Sequence, residues 1–434
     1  MQSIWNDTCP LPTFPSLEGD AKTDVLIIGG GIAGILCAHL LLEAGVEVML
    51  VEADRIGNGV TQYTTAKITA QHGLVYHQLV QEFGVEKAKL YLDANLEACR
   101  EYEKLSQKID CDYKKKDSYV YSLTNKSKLE QELTALEQLG YHAGYAEHLS
   151  LPMPTAGAVV FRNQAQFHPF KLLSSICKSI PIYEHTKITA LGIRTAETNS
   201  GLIQADHIIV ATHFPILNKH GAYYLKMFQS RSYVLGLSGA QNVDGMYIDE
   251  DQKGMSFRNA GDLLLLGGGG HRTGKDGGNF KELIAFVNQY YPLAKEQFRM
   301  ATQDCMTLDH VPYIGLYERH TEALYVATGY NKWGISSAMV SAMLLRDQIL
   351  QKQNPYAPIF DPHRTMLRPQ LIINGLEAIT NLLTLSTRRC PHLGCALKWN
   401  EAEHTWDCPC HGSRFTPAGK LINNPAADDH KEII

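Results

Sequence analysis

The stretch DVLIIGGGIAGILCAHLLLEAGVEVMLVE, residues 24–52, decides the fold. Its apolar opening predicts a buried strand, the three glycines at 29–31 predict a tight turn, and the next apolar run predicts a helix over 32–44. A second β-run at 46–52 completes a strand–helix–strand unit. Residues 25–42 are long and apolar enough to suggest a membrane span, but the glycine break favours two shorter elements.

Three glycines in this turn, Gly29, Gly31 and Gly34, have the spacing GxGxxG. Gly29 permits the turn, Gly31 lets a pyrophosphate approach the backbone at the positive end of the helix, and Gly34 lets the helix lie close to the strand. Glu52, 18 residues after Gly34, can accept hydrogen bonds from a ribose diol. The pattern predicts a dinucleotide site that suits NAD or FAD, and a glycine-rich turn without a ligand is the alternative.

The composition restricts the class of protein. A chain of 434 residues is long enough for two to four domains, and a formal net charge of -5 argues against a general nucleic-acid binder. The N-terminal residues MQSIWNDTCPLPTFP lack the basic and apolar regions of a secretory signal, so we expect a cytoplasmic protein without an integral membrane span. Four of the ten cysteines fall between Cys390 and Cys410, which calls for a chemical explanation.

The order of segments over residues 1 to 360 resembles the D-amino-acid oxidase/glycine oxidase superfamily of FAD enzymes. The segments that carry this resemblance are VEADRIGNGVTQYTTAK (51–67), TKITAL (186–191), DHIIVATHFP (206–215), TLDHVPYIG (307–315) and LYVATGYNKWGISSAMVSAMLLRDQI (324–349). The resemblance favours FAD over NAD. The residues that it implies for FAD contact are Gly29, Gly31, Gly34, Glu52, Ala53, Ile188, Ala211, Thr212, Gly329 and Gly334.

The resemblance also implies an α/β fold, with a Rossmann-like FAD-binding domain and an α+β substrate domain whose antiparallel sheet covers the flavin. The FAD-binding domain is predicted from residues 1–84, 181–215 and 306–360, and the substrate domain from residues 85–180 and 216–305. Amphipathic periodicity predicts helices near 85–109 and 128–140 in the substrate domain.

A second motif, CPHLGCALKWNEAEHTWDCPCHGSRF, occupies residues 390 to 415. Cys390 and His392 are separated by one residue, Cys408 and His411 by two, and 15 residues lie between the two pairs. Two Cys and two His in this order fit a Rieske [2Fe–2S] centre, where thiolates hold one iron and imidazoles the other. Zinc sites more often pair Cys with Cys and His with His, but zinc, or cysteines without metal, are alternatives.

The motif resembles the Rieske family, which implies Cys390, His392, Cys408 and His411 as ligands and a disulfide between Cys395 and Cys410. It also implies that Ser413 donates a hydrogen bond to the cluster, and that Phe415, where some members have Tyr, lowers the potential. Residues 361–389 predict a linker and a helix instead of the strands that precede a full Rieske domain. The β-rich module of residues 390–434 is therefore predicted to be truncated, with its cover supplied by the flavin domain or a second chain.

Together the two resemblances predict a dehydrogenase in which FAD oxidises an amine or amino acid and the cluster passes electrons to an acceptor protein or a quinone. The candidate catalytic residues are His271, Arg258, Tyr330 and Lys332, and Arg231 and Arg272 are further candidates to clamp a substrate carboxylate. Each of them also suits an ordinary packing or surface role. Two other functions fit the sequence: an oxidase that uses O₂ with a structural or lost cluster, and an electron-transfer or redox-sensing flavoprotein without its own substrate.

Overall fold

The computed structural model describes residues 3–217, 220–251, 254–277, 279–426 and 429–430. The outer limits of the predicted domains, residues 1 and 434, lie outside these ranges. The α-helices are α1 (Ile4–Thr8), α2 (Ile32–Glu43), α3 (Val75–Lys108), α4 (Lys126–Gln138), α5 (Pro169–Ile176), α6 (Tyr223–Lys226), α7 (Asn279–Tyr290), α8 (Gly334–Ile349), α9 (Ala357–Phe360) and α10 (Pro369–Leu383).

The strands of the described residues form three sheets. In chain order they are β1 (Ala21–Ile28), β2 (Val48–Val51), β3 (Lys67–Ile68), β4 (Lys114–Ser122), β5 (Gly144–Ala146), β6 (Gly157–Gln166), β7 (Ile182–Tyr183), β8 (Ile188–Leu191), β9 (Thr195–Thr198), β10 (Leu202–Val210), β11 (Met227–Ser238), β12 (Met246–Asp249), β13 (Ser256–Ala260), β14 (Leu263–Arg272), β15 (Lys295–Thr307), β16 (Tyr313–Leu316), β17 (Leu324–Thr328), β18 (Lys398–Asn400), β19 (Thr405–Asp407), β20 (Arg414–Phe415) and β21 (Leu421–Asn423).

The first sheet has the strand order β16-β17-β10-β1-β2-β7, with β9 and then β8 added beside β10. Strands β17, β10, β1, β2 and β7 run parallel. Val25, Leu26, Ile27 and Ile28 of β1 are all buried, as expected for a parallel strand covered on both faces. The predicted α/β fold is confirmed, and the apolar run 25–42 is divided between β1, the glycine turn and α2. None of the described helices is long and apolar enough to span a membrane.

Helices α2 and α8 pack closely against each other beside this sheet. Both carry small residues, including Gly34 and Ala38 on α2 and Ala338 and Ala342 on α8, and all four are buried. Small side chains allow two helix axes to approach closely. This pair places the N-termini of both helices at the edge of the sheet where the nucleotide motif lies.

The second sheet, called the roof sheet below, has the order β15-β11-β14-β13-β12-β4-β6-β3, with β5 beside β6. Its strand pairs are antiparallel except β12 and β4. Strand β3 belongs to the roof sheet although the sequence assigned it to the FAD-binding range. Helix α3 bends at Gly84, whose φ of 79° is left-handed, at the predicted boundary between the two domains.

The tail consists of α10 and a third, four-stranded antiparallel sheet, β18-β19-β20-β21. Residues 361–389, all of them described, contain α10 and no strand, as the sequence predicts. The polar side of α10 faces the protein, where Asn374 accepts a hydrogen bond of 2.8 Å from Arg272. Its aliphatic side is exposed, with Leu376 61% and Leu383 77% accessible. Polar contacts therefore hold this helix in place.

A buried ion pair fastens the segment after α9 to the first sheet. Arg364 donates from Nε to Asp309 Oδ2 at 2.6 Å and from Nη2 to Oδ1 at 2.8 Å. Burial alone would raise the pKa of Asp309, but the Arg364 guanidinium outweighs burial and holds that pKa below its ordinary value. The stability from this pair is therefore complete at neutral pH and is lost as the pH falls through the lowered pKa of Asp309.

We expect Arg364→Leu to lower the free energy of unfolding by about 3–5 kcal/mol at pH 7, because it leaves the Asp309 carboxylate buried without a partner. Urea denaturation followed by fluorescence measures this change. The control is Arg194→Leu, which breaks an exposed 3.7 Å pair with Asp206 and should cost less than about 0.5 kcal/mol. Equal losses in the two variants would contradict the assignment.

Candidate functional site

A cavity of about 1000 Å³ is lined by residues of both the first sheet and the roof sheet. Its floor includes Gly29, Gly30 and Gly31 after β1 and the chain that follows β2. Its roof includes residues of β11, β12, β13, β14 and β15. A volume of this size lies at the upper end of ordinary ligand sites and suits an extended cofactor together with a small substrate.

The glycines of the turn are required by packing. Gly29 has a φ of 115°, and a Cβ there would lie 2.6 Å from the carbonyl oxygen of Ala211. A Cβ on Gly34 would overlap the carbonyl oxygen of Gly29, so only glycine lets α2 lie this close to β1. Gly31 is the N-cap of α2 and lines the cavity, which leaves the backbone N–H groups of the first helical turn open to an anion.

Glu52 closes the nucleotide end of the cavity. Its carboxylate accepts hydrogen bonds from the backbone N–H of Gly30 at 2.7 Å and of Asp54 at 2.9 Å. Burial raises the pKa of Glu52, and these backbone donors oppose that rise. The side chain is thus fixed beside the glycine turn, as the ribose-binding prediction requires.

Most of the residues predicted for FAD contact lie together in the lining of this cavity: Gly29, Gly31, Glu52, Ala53, Ile188, Ala211, Thr212 and Gly334. Gly34 and Gly329 lie outside the lining. Gly329 has a φ of 74°, and a Cβ there would overlap the side chain of Thr307. These two glycines therefore shape the walls behind the cavity.

No sequence motif indicates that several of the residues in the lining face the cavity. Thr61 accepts a hydrogen bond of 3.1 Å from the N–H of Ile32 and so supports the start of α2. Lys67 is a buried lysine in the lining, and burial lowers its pKa to about 7, with Arg258 adding to the shift. Both belong to segment 51–67, one of the segments that carry the resemblance to the FAD enzymes. Only the roof sheet, which β3 joins, reveals that Lys67 faces the cavity.

The four predicted cluster ligands form two close pairs in the tail, one of histidines and one of cysteines. The rings of His392 and His411 lie 5.0 Å apart at 88°, and the thiols of Cys390 and Cys408 are within hydrogen-bonding contact. The N–H of Gly394 donates to Cys390 O and that of Gly412 donates to Cys408 O, both at 2.9 Å, which folds each loop back on itself. The φ values of these glycines, 78° and 86°, are left-handed and therefore favour glycine.

The donor chemistry fits an iron–sulfur cluster. His411 Nδ1 is buried without a hydrogen-bond partner among the described residues, as expected of an atom placed to bind a metal. Burial, with His392 and Arg272 nearby, lowers the pKa of His411 to about 3, so its imidazole is neutral. The predicted disulfide between Cys395 and Cys410 is present, with Cα atoms 6.7 Å apart, and ties the two loops together.

The roof sheet supplies the cover that the short tail lacks. Arg272 donates to the carbonyl oxygens of Pro409 and Cys410, both at 3.1 Å. Gln303 donates to Gly412 O at 2.8 Å, and a Cβ on Gly412 would lie 2.6 Å from Cβ of Gln229. The loop that carries Cys408 and His411 therefore rests directly on β11, β14 and β15.

A buried charge network fixes this arrangement. Arg231 of β11 donates from Nε to Glu403 at 3.0 Å, and Arg414 lies 2.9 Å from the same carboxylate. Arg414 also pairs with Asp407 at 3.0 Å. The side chains of Arg231 and Glu403 are 2% and 0% exposed, so this contact is fully removed from water.

The tail also forms part of the cavity wall. Residues 421–424 and Ala426 line it. The side-chain amide of Asn424 donates to Thr212 O at 3.1 Å and to Phe214 O at 2.6 Å, where β10 ends. The iron–sulfur module and the nucleotide cavity therefore share a wall.

The predicted substrate residues separate into two groups. Tyr330 and Lys332 line the cavity, whereas Arg258 and His271 do not. Arg258 donates to the carbonyl oxygens of Thr65 and Ala66, the latter at 2.8 Å, and lies over the ring of Trp5.

His271, Arg231 and Arg272 are also bound by protein groups. The Nε2 atom of His271 lies 3.0 Å from the hydroxyl of Tyr233. Arg231 is bound to Glu403, and Arg272 to the cluster loop. The three arginines considered as carboxylate clamps are thus occupied by protein groups.

Comparisons with known proteins define the class. Residues 24–348 match the family model described as FAD dependent oxidoreductase, and residues 378–433 match the Rieske [2Fe-2S] domain. The protein is therefore an oxidoreductase that uses FAD and a [2Fe–2S] cluster, as the sequence predicts. The chain belongs to the FAD dependent oxidoreductase family and carries a Rieske domain at its C-terminal end.

One relative and two solved structures illustrate the similarity. The chain is 34% identical to the putative Rieske 2Fe-2S iron-sulfur protein YhfW of Bacillus subtilis, over 100% of this chain and 97% of that protein. Glycine oxidase from Geobacillus kaustophilus superposes with a TM-score of 0.67 at 18% identity, over 80% of this chain and 100% of its own. L-proline dehydrogenase from P. horikoshii gives 0.67 at 17%, over 81% and 98%. At such identities the two structures show a shared fold.

We expect Gly34→Ala to reduce bound FAD and to lower the free energy of unfolding by about 1–3 kcal/mol or more, because the added methyl group overlaps Gly29 O. Flavin absorbance per chain and urea denaturation measure both effects. The control is Gly375→Ala on α10, where a Cβ meets no atom within 4 Å. Normal flavin content in Gly34→Ala would show that the close approach is dispensable.

We expect Glu403→Ala to loosen the tail, because it leaves Arg231 and Arg414 buried without their shared carboxylate, at a cost of about 3–5 kcal/mol. Limited proteolysis between residues 361 and 389, together with loss of iron, reports the loosening. Glu401→Ala, an exposed change two residues away, is the matched control. Unchanged cleavage and iron content in Glu403→Ala would mean that other contacts suffice to dock the tail.

Proposed function

We propose that the chain is a dehydrogenase that oxidises the C–N bond of an amine or amino acid, and that electrons leave singly through the cluster. FAD supplies two-electron chemistry with the substrate, and the [2Fe–2S] centre supplies one-electron transfer to an acceptor protein or a quinone. The observation that carries the proposal is the wall shared by the iron–sulfur module and the cavity, at residues 421–424.

The protein groups around the cavity suit a reduced, negatively charged flavin. Helix α8 begins at Gly334, which lines the cavity, so the positive end of a 16-residue helix faces inward. Lys67 and Lys332 add two lysines to the lining. We assign to the N-terminal end of α8 the stabilisation of negative charge that develops when the flavin accepts a hydride.

A short series of contacts connects the cavity to a cluster ligand. His213 lines the cavity, with the Gln229 side chain and the Gln303 backbone beside its ring. Gln303 in turn donates to Gly412 O, next to His411. Two residues thus lie between the cavity wall and the ligand loop, which supports electron exchange within one chain.

Anaerobic stopped-flow mixing with a panel of amines and amino acids tests this function. We expect flavin absorbance to fall first and the electron paramagnetic resonance signal of a reduced Rieske cluster to appear next in the same sample. With an artificial one-electron acceptor, Cys408→Ser should lower turnover by about tenfold or more, because it removes a cluster ligand. Cys9→Ser, which changes a free cysteine outside the site, is the control.

Two outcomes would contradict the proposal. Stoichiometric hydrogen peroxide in air, with no need for another acceptor and with equal rates in Cys408→Ser, would identify an oxidase with a structural cluster. Failure of the whole panel to reduce the flavin, combined with rapid reduction by a protein donor, would identify an electron-transfer flavoprotein.

A further inference from the structure

Asp304 is a carboxylate in the cavity wall that the function described so far leaves unused. It lies on β15, in the roof, and lines the cavity. Thr302, two residues earlier on the same strand, lines it as well, and its hydroxyl has no hydrogen-bond partner among the described residues. Because residues two apart in a strand face the same side, the two form one polar patch over the cavity.

The charge of Asp304 is not neutralised by a close partner. No basic group of the described residues lies within 4.0 Å of its carboxylate, because Arg231, on the neighbouring strand, is bound to Glu403. Burial raises the pKa of Asp304 to about 6, and Lys332 and Arg231 oppose that rise. Asp304 is thus mainly ionised at neutral pH. Burial also lowers the pKa of Lys332, which weakens the nearest candidate for compensation in the lining.

None of the three candidate arginines is available to bind a substrate carboxylate beside Asp304. Arg231, Arg258 and Arg272 are held by protein groups outside the lining. Among the described residues the only arginine in the lining is Arg55, which lies 3.7 Å from Glu184 and donates to carbonyl oxygens of the N-terminal segment. A guanidinium fork for a substrate carboxylate is therefore missing beside Asp304.

We propose that the substrate is a cationic amine whose ammonium group binds the Asp304 carboxylate and the Thr302 hydroxyl. An ammonium group has enough donors to bond the carboxylate and the hydroxyl, and its positive charge compensates the carboxylate. The assignment rests on the proposed function, since it names the substrate class of that same site. In this assignment the protein recognises the amino group of the substrate and not a substrate carboxylate.

Two probes that share a tert-butyl group and carry opposite charges distinguish these modes of recognition. Tert-butylamine is a protonated amine without an α-hydrogen, so it binds without being oxidised, and pivalate is the corresponding carboxylate. Titration of the FAD-loaded protein at about pH 8, where Asp304 is ionised, follows the perturbation of the flavin spectrum. We expect tert-butylamine to bind and pivalate to bind on the order of tenfold more weakly or not at all.

Variants assign the binding to Asp304. Asp304→Asn should weaken tert-butylamine binding on the order of tenfold or more, and Thr302→Val, a milder change, should weaken it several-fold. The matched control is Asp262→Asn, an exposed carboxylate between β13 and β14 that does not line the cavity. This control should bind tert-butylamine as the wild type does.

Flavin absorbance per chain shows whether each variant folds, and Thr302→Val remains informative if Asp304→Asn does not. Preference for pivalate, or tert-butylamine binding that neither roof variant weakens, would overturn the assignment. Because tert-butylamine is never oxidised, this result is independent of electron transfer to the cluster. A failed relay with intact Asp304-dependent binding would contradict only the proposed function.

Discussion

The carboxylate of Glu403, shared by Arg231 and Arg414, is the contact on which the arrangement of the molecule depends. It joins a strand of the roof sheet to the iron–sulfur tail in a site that water does not reach. Burying such charges is costly, and the pairing repays that cost only in one geometry. The network therefore specifies the position of the tail on the roof sheet more than it adds to overall stability.

The position of the tail explains how so short a Rieske module can exist. A small β-rich unit has little core of its own, and the apolar cluster around Cys390 and Phe415 contains only a few side chains. The roof sheet covers the remaining face, with Arg272 binding two carbonyl oxygens of the loop that carries His411. The two redox modules are thus parts of one structure, and the tail in turn closes the cavity beside Thr212.

The arginines show that residue type alone does not identify a substrate-binding group. Arg231 and Arg272 have the donor geometry that suits a substrate carboxylate, and both use it within the protein, on Glu403 and on backbone carbonyls. Asp304 belongs to no recognisable motif, because a single acidic residue in a strand has no characteristic spacing to other residues. Its role depends on residues that are close in space but distant in the chain, such as Lys332, which is 28 positions away.

The sequence by itself determined the elements whose chemistry is local. The turn of Gly29, Gly31 and Gly34 and the spacing of the Cys and His ligands depend on residues a few positions apart, where backbone geometry leaves little choice. The sequence also indicated the helix at 371–383 and the absence of strands between residues 361 and 389. Only the tertiary structure decided that the tail docks on the roof sheet. It also decided that Arg231 pairs with Glu403, that Arg258 and Arg272 bind backbone carbonyls, and that Lys67 and Asp304 line the cavity. These contacts join segments that are far apart in the chain. Which buried groups pair with each other depends on the whole fold, so the local spacing of residues does not predict them.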